Sequence, residues 1–281
     1  MKFGTGFPLA LPEDPIAARD LAQTYDDAGF DYVSGGSHIL ATAADRYTDR
    51  PVATYVGPYT DAFVGFSYLS AHTKNLHFIT GILIMPLYQT ALLARQATDL
   101  DMLSGGRFEL GVGISWQESE YVALGQDLHT RGARLAEQIE LLRLFWTQPL
   151  VTFKGKFHDI DNMGLNRLPK KPITIWVGSS FEERPMRRAA RLGDGWMPMG
   201  DPTEQMPRFK EYLSEAGRDS IQLMTRLVAG DGGPDAWIAD AKRLQGIGAT
   251  HITIGGPQGL TGADATKRIM EARTALASAL G

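Results

Sequence analysis

The sequence predicts an α/β fold in which eight parallel strands, each followed by a helix, close into a (β/α)8 TIM barrel. Three observations carry this expectation. Four stretches, YDDAGFDYVS (25–34), DMLSGGRFEL (101–110), ARLGDGWMPM (190–199) and LQGIGATHIT (244–253), repeat one junction, in which a helical pattern ends at glycine and an apolar strand follows. Glycine supplies the left-handed residue that terminates a helix. Four further strand-like runs, KFGTGFP (2–8), LHFITGILI (76–84), ITIWVGSS (173–180) and IQLMTRLVA (221–229), bring the total to eight. Segments with helical periodicity lie between them. Strands rich in branched apolar residues and alternating with helices form a parallel sheet covered by those helices; the number eight favours closure, with an open doubly wound sheet as the alternative. The length of 281 residues suits one domain of this kind, which uses about 250 residues.

The elements follow in order. MKFGTGFPLALPEDP carries one lysine and an apolar stretch broken by glycine and proline, so it reads as a first strand and not as a signal peptide. Helices are expected near 15–28 and 61–74. The uncharged run NLHFITGILIMPLYQTALLA (75–94) contains Asn75, His77, Gly81, Pro86 and Gln89, which argues for a buried strand, a loop and a helix start over 90–103 and against a membrane span. Helical periodicity runs over 118–147, where Glu118 and Glu120 suit the positive end of a helix dipole. PLVTFKGKFHDIDNMGLNRLPKKP (149–172) is irregular, and the alternation in VTFKGKFHD reads as a hairpin inserted before the fifth barrel strand. Helices near 183–192, 203–217, 234–246 and 263–280 complete the alternation.

Composition narrows the function. Hydrophobic residues make up 43% and charged residues 21%, as in a soluble globular protein with a substantial core. Lys plus Arg is 28 against 32 for Asp plus Glu, a net charge of −4 without a basic run, which argues against nucleic acid as a partner. No cysteine is present, which removes disulfides and thiolate chemistry and fits a cytoplasmic protein.

In a barrel of this kind the active site stands at the carboxyl ends of the strands, and this polarity sorts the six histidines. His77 and His251 fall in the first half of their strands, His72 ends a helix, His129 helps to start one, and His158 lies in the hairpin. Only His38, after YVSGGS, stands at a carboxyl end and is the candidate acid or base. GVGISW begins like a dinucleotide fingerprint, but Trp116 occupies the place of the third glycine. Gly111 and Gly113 instead let the fourth strand pack closely or admit a ligand. Ser115 and Trp116 then stand at the mouth, Trp116 either stacking on a planar ligand or packing the next helix. In IWVGSSFEER, Gly178, Ser179 and Ser180 precede a helix and could cradle an anion; the alternative is a capping box of Ser180 with Glu183. Arg184 would attract an anion there, and Glu182 and Glu183 would oppose it.

Other barrel chemistries fit poorly. Beyond Lys2, no lysine lies in a predicted strand for a Schiff base, no two histidines fall within four residues, and a glycosidase pair would have to be forced from Glu118 and Asp231. No metal site is expected.

Nearly the whole chain resembles the luciferase-like flavin and deazaflavin oxidoreductases. The resemblance is carried by AGFDYV followed by His38, by TGILIMPLYQTALLARQATDLDMLSGGRFELGVG followed by Trp116 and Glu120, by FKGKFHD, and by PITIWVGSSFEERPMRRAARLGDGWMPM. It implies one luciferase-like barrel domain over 1–281, with a ring system lying in the mouth. It further implies a non-proline cis peptide at Gly81 and Ile82 under the ring, a cofactor phosphate at Gly178 to Ser180, and a reactive histidine at His38. In this chain Ser37 precedes that histidine where an acid often stands, and FEERP departs from the small residues usual after the phosphate loop. The compact length resembles the branch that uses coenzyme F-420, with an FMN-dependent monooxygenase as the alternative and a non-catalytic flavin-binding barrel as the reading from another class. Hydride transfer to or from a small organic substrate, with Ser115 and Trp116 lining the mouth, is the activity this implies. The resemblance also implies a homodimer.

Overall fold

The computed structural model describes residues 1–7, 14–43 and 60–280. Eight parallel strands form a closed barrel: β1 (Lys2–Gly6), β2 (Tyr32–Ser37), β3 (His77–Ile84), β4 (Phe108–Gly113), β7 (Ile175–Ser179), β8 (Gly195–Pro198), β9 (Gln222–Val228) and β10 (His251–Gly255). They neighbour one another in the order β1-β10-β9-β8-β7-β4-β3-β2. The antiparallel pair β5 (Val151–Lys154) and β6 (Asp159–Met163) is the expected hairpin before the fifth barrel strand. Outside lie α1 (Pro15–Asp27), α2 (Ala62–Ser70), α3 (Thr90–Leu103), α4 (Glu118–Ala123), α5 (Arg131–Thr147), α6 (Glu183–Leu192), α7 (Met206–Glu215), α8 (Gly233–Gly246) and α9 (Gly262–Leu280). None of the described helices is long and apolar enough to cross a membrane.

Two expectations need correction. The segment 118–147 is not one helix. Gly125 takes φ +66°, and Asp127 then accepts from the His129 N–H to start a short 3-10 turn over Leu128–Thr130 before α5 begins. A left-handed glycine ends a helix, and the aspartate caps the next one. Among the four junction glycines, Gly29, Gly105 and Gly248 have positive φ as expected, but Gly193 does not. Gly193 serves space instead: a Cβ there would stand 2.6 Å from the Gly195 carbonyl oxygen and 3.0 Å from that of Ala189.

The barrel has two cores. Outward-facing strand residues such as Val33, Leu110, Val177 and Ile252 pack on the helices, while Tyr32, Ile79, Trp176 and Met224 fill the barrel itself. Gly4 admits the Tyr32 ring, since a Cβ there would lie 2.3 Å from Cε2, and the Tyr32 hydroxyl stands 2.9 Å from the Thr253 hydroxyl. At the amino end, Arg107 of the SGGRF stretch spends its guanidinium on main-chain oxygens. It donates to Ser104, Leu76 and Ser70 at 2.7–2.8 Å and so ties the C-terminal ends of α2 and α3 to the start of β3. Carbonyls left unpaired at two helix ends thereby gain a charged donor.

His77 and His251 open their strands at this stability face, as polarity requires. Glu109 receives the Trp176 indole N–H at 2.6 Å, with His77 Nδ1 3.7 Å away. His251 is buried edge-on to Trp176, its Nδ1 is 2.9 Å from the Thr250 hydroxyl, and Nε2 has no hydrogen-bond partner among the described residues. Burial lowers its pKa to about 4, with Glu109 and Asp31 opposing the shift and Lys2 and His77 adding to it.

The unfolded chain binds a proton at this imidazole below about pH 6.5, whereas the folded chain resists it until about pH 4. Stability is therefore complete above the upper value and falls as pH drops through the window. A 2.5-unit difference corresponds to about 3 kcal/mol. Urea unfolding between pH 7 and pH 4.5 should show this loss in the wild type and a flatter profile in His251→Gln; equal slopes would remove His251 from the acid sensitivity.

Candidate active site at the carboxyl end of the barrel

A cavity of about 990 Å³ opens at the carboxyl ends of the strands. That is ample for a three-ring cofactor, at the upper end of the range of small-molecule sites. His38, Gly81, Ile82, Ser115, Trp116, Gly178, Ser179 and Ser180 all line it, so the fold brings together every site residue expected from the sequence.

The wall under the mouth is built from glycines around one isoleucine. The Gly81–Ile82 peptide is cis, as the resemblance implied. A Cβ on Gly113 would lie 2.7 Å from Ile82 Cδ1, and one on Gly178 2.9 Å from Ile82 Cγ2. A Cβ on Gly36 would press on the Gly81–Ile82 peptide itself, 2.7 Å from its oxygen and 2.8 Å from its nitrogen. Side chains on β2, β4 or β7 at these points would displace Ile82. Gly111 serves close packing one layer down, where a Cβ would overlap the Thr80 carbonyl and where Thr80 Oγ1 both accepts from and donates to the Gly111 backbone at 2.7 Å. Ser115, with φ +51°, and the half-buried Trp116 follow β4 at the rim.

His38 is held from behind by Glu120. Its Nδ1 lies 2.8 Å from Glu120 Oε2, while Oε1 accepts the N–H of Ile39 at 2.6 Å and of Leu40 at 3.1 Å. The Glu120 side chain is fully buried, and that of His38 is 23% exposed toward the cavity. Gln117 adds a second tie, donating to the Thr42 hydroxyl at 2.7 Å. A buried carboxylate needs such partners, since burial without them costs several kcal/mol. The sequence offers Glu120 as a helix-start acid and as part of the family motif, without pairing it to His38. Its first-turn position in α4 satisfies that role too, but its acceptors serve the segment after β2. Nδ1 of His38 is thereby committed to Glu120.

The opposite side of the cavity suits an anion. The capping box does not form: α6 has Glu182 at its N-cap without a side-chain cap, and Ser180 donates to Glu182 at 3.0 Å. Glu183 pairs with Arg187 and Arg208 instead. Ser179 is buried and its hydroxyl accepts the Trp196 indole N–H at 2.8 Å, which commits one side of it to the wall. The N–H groups of Ser180, Phe181 and Glu182 meet no acceptor among the described residues. Two cations unremarked in the sequence, Arg131 and Arg188, join them on the cavity wall. Neither pairs with a carboxylate among the described residues, and Arg131 Nε is buried without a partner. Burial first, then the neighbouring Arg131 and Arg191, lowers the pKa of Arg188. Arg184, the expected cation, does not line this cavity. Only the open turn at Gly125, which brings the start of α5 back to the mouth, makes Arg131 a site residue, and no local motif signals that.

Comparison with known proteins agrees with this geometry. An uncharacterised protein of Mycobacterium tuberculosis is 36% identical over 202 residues, covering 70% of this chain and 68% of its own length. The FMNH2-dependent dimethylsulfone monooxygenase of Pseudomonas fluorescens is 34% identical over 191 residues, 66% of this chain and 48% of that enzyme. An F420-dependent secondary alcohol dehydrogenase, solved with an F420–acetone adduct, superposes with a TM-score of 0.82 at 17% identity, covering 100% of this chain and 99% of the other, which shows the shared fold. Residues 1–232 match the model of the luciferase-like monooxygenase family. Eight-stranded closure, glycines packed around Ile82 and a match over most of the chain converge, and the chain belongs to the luciferase-like monooxygenase family.

Proposed function

We propose that this protein transfers a hydride between coenzyme F-420 and a small organic substrate. The observation that carries the reading is the pair of His38 and the buried Glu120 beside the cavity. Hydride exchange at an alcohol or carbonyl carbon moves a proton on or off the oxygen, and an imidazole oriented by a carboxylate suits that exchange. When bound, the deazaflavin supplies or accepts the hydride, and the protein supplies position and charge. Ile82, seated among Gly36, Gly113 and Gly178, would present an apolar surface to the ring. Ser115 and Trp116 border the open side. The backbone N–H groups from Ser180 to Glu182, with Arg131 and Arg188, would hold the phosphate. His38 Nε2 would exchange the proton, and Glu120 would keep Nδ1 protonated.

The second reading is an FMN-dependent monooxygenase, favoured by the 34% identity to the dimethylsulfone enzyme. Both cofactors carry three fused rings and a phosphate, so the same wall suits either. Fluorescence titration with F-420 and FMN in one buffer separates them. F-420 should bind tighter; tighter FMN binding, with oxygen uptake in the presence of reduced FMN, would replace the first reading by the second.

Arg188 provides a test of the anchor that does not depend on substrate. It is half-buried beside two other arginines and has no carboxylate partner among the described residues. Arg188→Met should weaken cofactor binding about 10- to 100-fold, the effect of losing one charge-assisted bond. The melting temperature of the cofactor-free protein should hold or rise, because like-charge repulsion is relieved. A lower melting temperature with unchanged affinity would make Arg188 a structural residue.

His38→Asn should leave cofactor affinity within about threefold and lower turnover about 10²- to 10⁴-fold, the usual range for a lost acid or base. F-420 absorbance, with secondary alcohols as the first donors tried, reads that turnover. Near-normal turnover in the variant would reduce His38 to a packing residue.

A further inference from the structure

We propose that Arg226 recognises the substrate, and that the substrate is an organic anion of the carboxylate class. The inference rests on the reading of this cavity as the place where cofactor and substrate meet, and it adds the chemistry of the second ligand.

Strand register fixes which way Arg226 points. In β9, Leu223 and Leu227 join the outer core against the helices, whereas Met224 belongs to the cluster inside the barrel. Arg226, two residues beyond Met224, therefore faces inward. Its register partner on β10 is Thr253, whose hydroxyl meets Tyr32 of the inner cluster, so the partner faces inward too. A basic side chain inside a barrel is tolerable only where the barrel opens to water, and Arg226 is exposed and lines the mouth cavity.

The guanidinium lies over Gly255 at the end of β10, where a Cβ would stand 3.0 Å from Arg226 Nη2 and 3.2 Å from Nε. In the barrel order β9 stands three strands from β2, which ends just before His38, and two strands from β7. Arg131 and Arg188 belong to α5 and α6, which flank β7 in the chain. The cavity thus carries the paired cations of α5 and α6 and a third, Arg226, on a separate strand.

Arg226 makes no ion pair or side-chain hydrogen bond among the described residues. The nearest acid in sequence, Asp231, faces Arg268 at 3.6 Å. Three arginines and one carboxylate, Glu182, make up the fully charged residues of the described cavity lining, in a chain whose net charge is −4. A cleft of one sign in a protein of the other concentrates counter-charged ligands. A planar fork whose donors are unspent matches the two oxygens of a carboxylate. Neutral substrates would leave this fork in place without a role.

Benzoate and its neutral isostere benzamide are the probes, titrated by calorimetry into the cofactor-free protein and into protein loaded with F-420. Wild type should bind benzoate at least tenfold tighter than benzamide. Arg226→Gln should bring the two within threefold of each other, Arg226→Lys should restore part of the preference, and the affinities for F-420 and inorganic phosphate should stay within threefold of wild type. Equal binding of both probes to wild type overturns the proposal. So does an Arg226→Gln variant that keeps the benzoate preference, or one that instead loses F-420 or phosphate, which would assign Arg226 to the cofactor anchor. If neither F-420 nor FMN binds wild type, the redox reading fails separately, and the probe pair on the cofactor-free protein still decides the role of Arg226.

Discussion

The mouth of this barrel depends on one buried carboxylate. Glu120 sits in the first turn of α4, where the dipole favours its charge, and spends both oxygens on the segment that leaves β2. Removing it would leave the N–H groups of Ile39 and Leu40 without their acceptor and take the carboxylate from the His38 imidazole. The same contact therefore holds the chain path after β2, the tautomer of His38 and the docking of α4 on the rim. Structure and chemistry are joined there, because a buried acid is tolerated only where its hydrogen-bond partners are supplied.

The SGGRFELGVG block looks like one motif but does two separate jobs at opposite ends of β4. At the amino end Arg107 gathers the carbonyls of α2, α3 and the start of β3, which closes the stability face. At the carboxyl end Gly113, with Gly36 and Gly178 from neighbouring strands, clears the volume that Ile82 fills. A glycine-rich strand that resembles a nucleotide loop is here a packing device: backbone approaches backbone so that one apolar side chain can stand under the mouth. The two ends also differ electrostatically. His251 is buried and resists protonation at the amino end, whereas Arg131, Arg188 and Arg226 collect at the carboxyl end. An open mouth can bear that repulsion, and a folding core cannot.

Much of this was legible in the sequence, because its signals are local. Period and glycine punctuation predicted eight strands, their helices and the hairpin. Strand polarity singled out His38 from six histidines and set Ser115, Trp116 and Gly178 to Ser180 at strand ends, the motif resemblance pointed to Gly81 and Ile82, and all of them line the mouth cavity. Propensity overstated the helix over 118–147, since Gly125 and Asp127 break a run whose apolar period continues through them. It also misread Gly193, which is a glycine for space and not for φ.

The sequence by itself determined what a chain can express within a turn or a strand: alternation, helix ends, and which end of each strand a residue occupies. Only the tertiary structure decided which distant residues meet. Glu120 finds His38 across 82 positions, Trp176 finds Glu109 across 67, and Arg226 comes to the mouth because strand register turns it inward. Ser180 lost its expected cap for the same reason, taken by Glu182 while the Trp196 indole claimed Ser179. Hydrogen bonds and volume act through space, and closing the barrel is what sets those distances.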